Sequence, residues 1–149
     1  MSIDGGCRCG AVRYALATGH LPQVYCCHCR DCQTWSGSAF TEQAVVRDGA
    51  FAVTAGAPVL FELTNPSGSI SRQYVCGTCH TRLYNTNSAR PGFVIVRVGT
   101  LDASDALEAV LHIWTKRKQP WIVLPEGVPA FEESAPAEAF GSLIVGEAQ

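Results

Sequence analysis

Eight cysteines fall into three tight groups along the 149 residues: Cys7-Arg8-Cys9, then Cys26-Cys27-His28-Cys29-Arg30-Asp31-Cys32, then Cys76-Gly77-Thr78-Cys79. Thiols in such groups either pair as disulfides or bind a soft metal ion. The segment from Met1 to Gly6 carries an early Asp, two Gly and no apolar stretch of the kind a secretory signal needs, so the chain reads as cytoplasmic. In a reducing compartment metal ligation or catalysis outranks four disulfides. Burial of the cysteines as small hydrophobes would leave their spacing unexplained.

The spacings also say how the thiols can converge. In an extended segment Cys7 and Cys9 point to the same side. Cys76 and Cys79 form a Cys-x-x-Cys knuckle, in which Gly77 permits the tight turn that brings both sulfurs onto one ion. Two plus two closes a tetrahedron. If the chain is still extended from Val24, Cys27 and Cys29 share a face, Cys26 and His28 point the other way, and Cys32 closes the group. Three thiolates leave a fourth position for water, thiol or substrate, which separates a reactive zinc site from a structural one. Thiolate ligands favour zinc over magnesium or calcium, and zinc holds thiols deprotonated at neutral pH. A second grouping stays open, in which Cys29 and Cys32 join Cys76 and Cys79 in a zinc ribbon and Cys7 and Cys9 are incidental; the long separation between those pairs exceeds the usual spacing.

Short β-rich runs separated by Gly, Pro, Asn and Ser must position these thiols: residues 11–16, 23–27, 40–46, 51–54, 59–63, 70–75 and 93–98. The fold class is therefore all-β. The run Phe93 to Val98 is nearly continuous in apolar residues, as in a strand covered on both faces, whereas Ser69 to Tyr74 alternates like a half-exposed one, so two different layers are expected. Residues 102–111 predict a short helical turn leading into a strand that runs from Val110 to Trp114. The length suits one domain, partitioned here into a zinc-binding unit over 1–125 and a C-terminal tail over 126–149 that packs on it or extends from it. With 11 basic against 13 acidic residues, the net charge of −2 gives no electrostatic footprint for nucleic acid. No stretch approaches the ~18 apolar residues of a membrane span.

Other polar residues have assignable roles. Lys116, Arg117 and Lys118, beside Trp114 and Trp121, form the tightest basic cluster and are candidates to receive carboxylates, with a solvated loop as the competing reading; Arg30 and Arg72 are weaker candidates. His28 invites a general-base role, but faces away from any ion that Cys27 and Cys29 share, so packing or orientation of the ligands is preferred. His112 reads as a core residue, His20 as a surface one, and Asp31 as an acceptor for backbone donors between Cys29 and Cys32.

Four motifs in order carry a resemblance. Gly6-Cys7-Arg8-Cys9-Gly10-Ala11-Val12-Arg13-Tyr14, Cys27-His28-Cys29-Arg30-Asp31-Cys32 with Ser36-Gly37-Ser38-Ala39-Phe40, Cys76-Gly77-Thr78-Cys79, and His112-Ile113-Trp114 with Lys118-Gln119-Pro120-Trp121 resemble the glutathione-dependent formaldehyde-activating enzyme family, which also includes centromere protein V-like proteins. The similarity runs from about Gly5 to about Pro125. It implies antiparallel sheets of the β-tent type with zinc knuckles and two zinc ions per chain. The structural ion would be held by Cys7, Cys9, Cys76 and Cys79; the other, with an open coordination position, would be held by Cys27, Cys29 and Cys32, the candidate catalytic residues. The implied activity is that of a carbon-sulfur lyase running in reverse, condensing glutathione or a similar thiol with formaldehyde or a related aldehyde. No nucleic acid or membrane partner is expected, and a homodimer is compatible with the resemblance.

Two positions depart from the family pattern. His80 stands where Gly commonly follows the second knuckle cysteine; it either occupies a backbone conformation that Gly adopts more easily, the preferred reading, or reaches toward a metal. Cys26 is an extra thiol beside the central group. A non-enzymatic zinc scaffold or glutathione carrier is the main alternative function, followed by thiol exchange at Cys26 and Cys27.

Overall fold

The computed structural model describes residues 1–146, so residues 147–149 of the C-terminal stretch lie outside it. Ten strands form two sheets. The smaller has the order β1 (Ile3–Gly6), β2 (Arg13–Leu16), β5 (Phe51–Ala55). The larger comprises β3 (Val24–Cys27), β4 (Thr41–Arg47), β6 (Val59–Thr64), β7 (Ile70–Val75), β8 (Arg82–Asn87), β9 (Phe93–Arg97) and β10 (Ala109–Ile113), in the spatial order β10-β3-β4-β9-β8-β7-β6. Pairing is antiparallel throughout except between β10 and β3, which run parallel. The protein is all-β, with two short helices, α1 (Arg30–Ser36) and α2 (Ala137–Gly141). No helix among the described residues is long and apolar enough to cross a membrane.

Side-chain alternation divides the core in two. Ala44 and Val46 of β4, with Val94 and Val96 of β9, face the small sheet and pack with Tyr14 and Leu16. Val45 and Ile95, between them in sequence, face the opposite way, where Tyr25, Cys27, Cys32, Leu111 and Leu143 are buried. The continuous apolar run in β9 is thus covered on both faces, as its composition predicts. It does not lie in a different layer from β7, however: only β8 separates the two in one sheet. The contrast in their patterns arises along the sheet, because cover thins toward the β6 edge, where every residue of β6 is exposed.

The segment after Pro125 supplies part of that cover. His112 N–H donates to Pro129 O at 2.9 Å and Phe131 N–H to His112 O at 2.9 Å, so this segment lines the outer edge of β10. Further on, Phe140 sets its ring edge-on to Tyr25, and Val145 exchanges backbone hydrogen bonds with Val45 and Arg47 beside β4. The helical turn expected near residue 102 is a single 3-10 turn, Ser104–Ala106, leading into β10.

Three regions differ from the sequence expectation. The first strand, Ile-Asp-Gly-Gly, has weak β propensity; it exists because Gly5 lets the Tyr14 ring cross where a Cβ would stand 2.5 Å from it. The β8 run is polar and carries a bulge that leaves Leu83 unpaired with β7, which breaks its alternation. Helix α1 is too short to show a period. It is fixed by its ends, with Cys29 as N-cap and Gly37 at φ +64° closing the C-terminus. The N-cap also corrects the reading of Asp31: the Cys29 sulfur accepts the Cys32 N–H at 3.3 Å, while Asp31 is exposed in the first turn.

His80 adopts φ +62° and donates its N–H to Cys76 O at 3.0 Å, in the left-handed conformation that Gly adopts at no steric cost. Its side chain is exposed. Relief of about 1–2 kcal/mol of left-handed strain, less about 0.5–1 kcal/mol for the freer unfolded chain, predicts that His80→Gly stabilises by roughly 0.5–1 kcal/mol. A denaturant midpoint that falls in this variant contradicts that account.

Candidate metal centres

The strands deliver the cysteines to two separate clusters. Cys7 follows β1, Cys9 lies in the turn after it, and Cys76 and Cys79 occupy the turn between β7 and β8. The four sulfurs lie within 4.8 Å of one another. Cys7 and Cys9 converge through a turn rather than as alternate residues of a strand: Gly10 N–H donates to Cys7 O at 3.1 Å. Zinc-thiolate bonds of about 2.3 Å in a tetrahedron set sulfur-sulfur edges near ~3.8 Å. The observed Cys7-Cys9 and Cys9-Cys76 separations are 3.5 and 3.7 Å, so the cluster fits such an ion.

Backbone donors point at these sulfurs. Val12 N–H reaches the Cys7 sulfur at 3.3 Å, and Thr78 and Cys79 N–H reach that of Cys76 at 3.4 and 3.5 Å. Hydrogen bonding from the Thr81 hydroxyl, at 3.1 Å, pulls the Cys79 thiol down to about 5. Sulfurs that accept several hydrogen bonds suit the thiolate form that a metal requires. The cluster also ties the small sheet to the β7-β8 end of the large one, two segments far apart in sequence.

The second cluster comprises Cys27, Cys29 and Cys32, again with sulfurs within 4.8 Å of each other. Cys27 ends β3, Cys29 caps α1, and Cys32 enters from the first helical turn. Gln43 of β4 donates through Nε2 to the Cys32 sulfur at 3.7 Å while its Oε1 accepts from the Tyr25 hydroxyl at 2.5 Å. Among sulfurs so close one thiolate is stabilised by its neighbours: hydrogen bonds with Cys27 and Cys29 hold the Cys32 thiol well below its ordinary range, and the same contacts push Cys27 up. Each cluster could bind a metal ion, and thiolate donors suit zinc. The zinc-ribbon grouping of Cys29 and Cys32 with Cys76 and Cys79 is not the one the fold makes.

Cys26 belongs to neither cluster. It lies on the other face of β3, opposite Glu42 and next to His112, and burial followed by the Glu42 charge raises its thiol to about 12. His28 is fully buried, with Nε2 3.0 Å from His112 Nδ1 and its ring against Phe40. Burial, aided by His112, lowers it to about 4, so this pair is neutral at physiological pH. His112 is buried with it, and His20 is exposed.

Two of the three residues of the basic cluster are committed elsewhere, and the third, Arg117, is exposed. Lys116 pairs with Glu133 and lies over the Trp114 ring, and Lys118 Nζ donates to the Ile122 carbonyl at 2.7 Å. Arg72 pairs with Glu62 on the far strands. Arg30 and Trp121 line a surface depression of about 670 Å³ that none of the clustered cysteines lines. The cations near the three-cysteine cluster are instead Arg97 of β9 and Arg82 of β8, whose electrostatic partners include Cys32. Sequence reasoning missed both; the one signal was Arg97 interrupting an otherwise apolar run.

The division into a closed and an open cluster predicts unequal damage on substitution. With a zinc ion in the four-cysteine cluster, Cys7→Ser would remove a ligand of a site whose binding free energy, on the order of 10 kcal/mol, rivals the stability of a whole domain, and the variant would not fold cooperatively. Cys32→Ser keeps the native circular dichroism spectrum and loses about 1–3 kcal/mol. Thermal unfolding of both variants checks this, and equal losses contradict it.

Comparison with known proteins agrees with these features. A curated protein of Schizosaccharomyces pombe, an uncharacterized lyase, is 32% identical over 97 residues, which is 61% of this chain and 64% of that protein, short of two thirds of either. A crystal structure of a Rhodobacter sphaeroides protein aligns with 87% of this chain and 99% of its own, with TM-score 0.54 and 20% identity, a likeness of fold alone. The model of the family described as glutathione-dependent formaldehyde-activating enzyme matches residues 2–117, a span that contains both cysteine clusters and every strand of both sheets. The chain belongs to the glutathione-dependent formaldehyde-activating enzyme family.

Proposed function

We propose that the chain condenses glutathione, or a similar thiol, with formaldehyde or a related small aldehyde at the Cys27, Cys29 and Cys32 cluster, as a carbon-sulfur lyase acting in reverse. Family membership supports the reaction class, and the observation that carries the reading is the contrast between the clusters: one offers four sulfurs, the other three. Cys7, Cys9, Cys76 and Cys79 would hold a structural zinc ion, and Cys27, Cys29 and Cys32 a second one. Held by these three residues, zinc would supply Lewis acidity that lets an incoming thiol give up its proton near neutral pH.

The protein's own groups then have definite tasks. Cys27, Cys29 and Cys32 fix the position of the incoming sulfur, and the Cys32 N–H and Gln43 amide hold the cysteine sulfurs as acceptors. The substrate sulfur forms a bond to the aldehyde carbon, the carbonyl π pair moves to oxygen, and the proton given up by sulfur ends on the new hydroxyl. Holding sulfur and aldehyde together is the main source of acceleration, since the addition also proceeds unaided. His28 and His112 are turned to the other side and take no part in proton transfer.

Zinc-loaded chain mixed with glutathione and formaldehyde should form S-hydroxymethylglutathione faster than the uncatalysed mixture, and Cys32→Ser should return the rate to the uncatalysed one. Equal rates with and without the loaded wild-type chain contradict the reading.

A further inference from the structure

Two guanidinium groups stand beside the three-cysteine cluster with no carboxylate to offset them. Arg97 lies on the face of β9 that also carries Ile95, opposite Gln43 of β4, and so faces the side where Cys27 and Cys32 are buried. Its Nε and Nη1 atoms are sealed from solvent and find no acceptor. Arg82 owes its place to the bulge in β8: with Leu83 skipped, Arg82 pairs with Val75 and shares the face of Gln73, whose Oε1 accepts from its Nη2. Its guanidinium lies 3.9 Å above the ring of Trp35, on α1, one turn beyond Cys32. Arg82 and Arg97 are both part-exposed as residues, but none of the remaining Arg82 donors is sealed without an acceptor as Nε and Nη1 of Arg97 are.

A guanidinium in a protein interior is ordinarily paired, because the desolvation of an unpaired charge is not repaid. Neither arginine has an acidic partner among the described residues; Asp102, Glu62 and Glu133 pair with Arg13, Arg72 and Lys116. Three thiolates around a divalent ion carry a net charge of −1, which one guanidinium offsets. Arg97, turned to the sulfurs and with Nε and Nη1 sealed from solvent, fills that role. The part-exposed Arg82 is then one positive charge in excess, held flat by Trp35, with the donors that Gln73 does not take left for an acceptor.

Resting on the reading of this cluster as a thiol-binding site, we propose that Arg82, held against Trp35 and backed by Arg97, is the residue that receives a carboxylate of the thiol substrate. Arg82 is in this account a binding residue that determines specificity, and Arg97 is a positioning residue that acts on the sulfurs.

The test compares two probes of nearly equal shape, 3-mercaptopropionate and 3-mercaptopropionamide, binding to the zinc-loaded full-length chain by calorimetry, with zinc content measured for every sample. The acid is expected to bind roughly tenfold tighter than the amide, as for one charge-assisted hydrogen-bonded pair. In Arg82→Gln that preference should fall to within about twofold, and Arg82→Lys, which keeps the charge without the fork, should restore part of it. Should Arg82→Gln misfold, Trp35→Leu provides the second variant, since it frees the guanidinium and should narrow the preference. Binding of both probes by the wild type with equal affinity overturns the carboxylate site while leaving the thiol-binding cluster intact. Failure of both probes to bind to zinc-loaded protein overturns the cluster reading as well.

Discussion

Three sulfur atoms gathered where β3 gives way to α1 impose the constraint that the rest of the structure answers. Thiolates this close repel one another, and in a largely buried setting the repulsion is weakly screened. A cation among them relieves it, and nearby donors help: the Cys32 N–H on Cys29, the Gln43 amide on Cys32, and the sealed guanidinium of Arg97 behind. None of these is in place unless β3, β4 and β9 are neighbours in one sheet, with β3 ending just where α1 begins. The parallel pairing of β10 and the returning C-terminal segment complete that arrangement by covering the edge of β3 and the face on which the cluster lies.

The four-cysteine cluster answers a different problem. The small sheet has only three strands; Tyr14 and Leu16 of β2 pack it on the larger one, but its first strand contains adjacent glycines and adds little to that contact. Sulfur contacts between Cys9 and Cys76 join the turn after β1 to the β7-β8 turn, with the Arg8 N–H donating to the Thr81 hydroxyl at 3.2 Å beside them. One cluster therefore spans two sheets and the other lies within a single junction, which is why substitutions in them are expected to differ so much in cost.

Much of this was legible in the sequence where spacing encodes geometry. The division of seven cysteines into four and three followed from two-residue and three-residue spacings, and the isolation of Cys26 from its parity with respect to Cys27. The covered strand β9 followed from its nearly continuous apolar run, and the left-handed His80 from the resemblance, since the family commonly has Gly at that position. What escaped detection depended on contacts made at long range. Arg82 reaches the cluster only through a bulge, and a bulge breaks the period by which a strand is recognised. Lys116 and Lys118 looked available because Glu133 belongs to the tail set apart from the domain, and the Ile122 carbonyl is a backbone acceptor that side-chain spacing does not reveal. The cap on α1 was assigned to Asp31 by the usual preference for a carboxylate, whereas the already positioned Cys29 sulfur fills that place.

The claim on which the account stands is that the two clusters are separate metal sites, one closed and one open. Metal content of the native chain, measured together with the number of readily modified thiols, tests it most directly. The account predicts two zinc ions per chain, with the ion of the three-cysteine cluster the first to leave under a chelator and its three thiols appearing together as it goes. One zinc ion per chain accompanied by four reactive thiols in the untreated protein would contradict it.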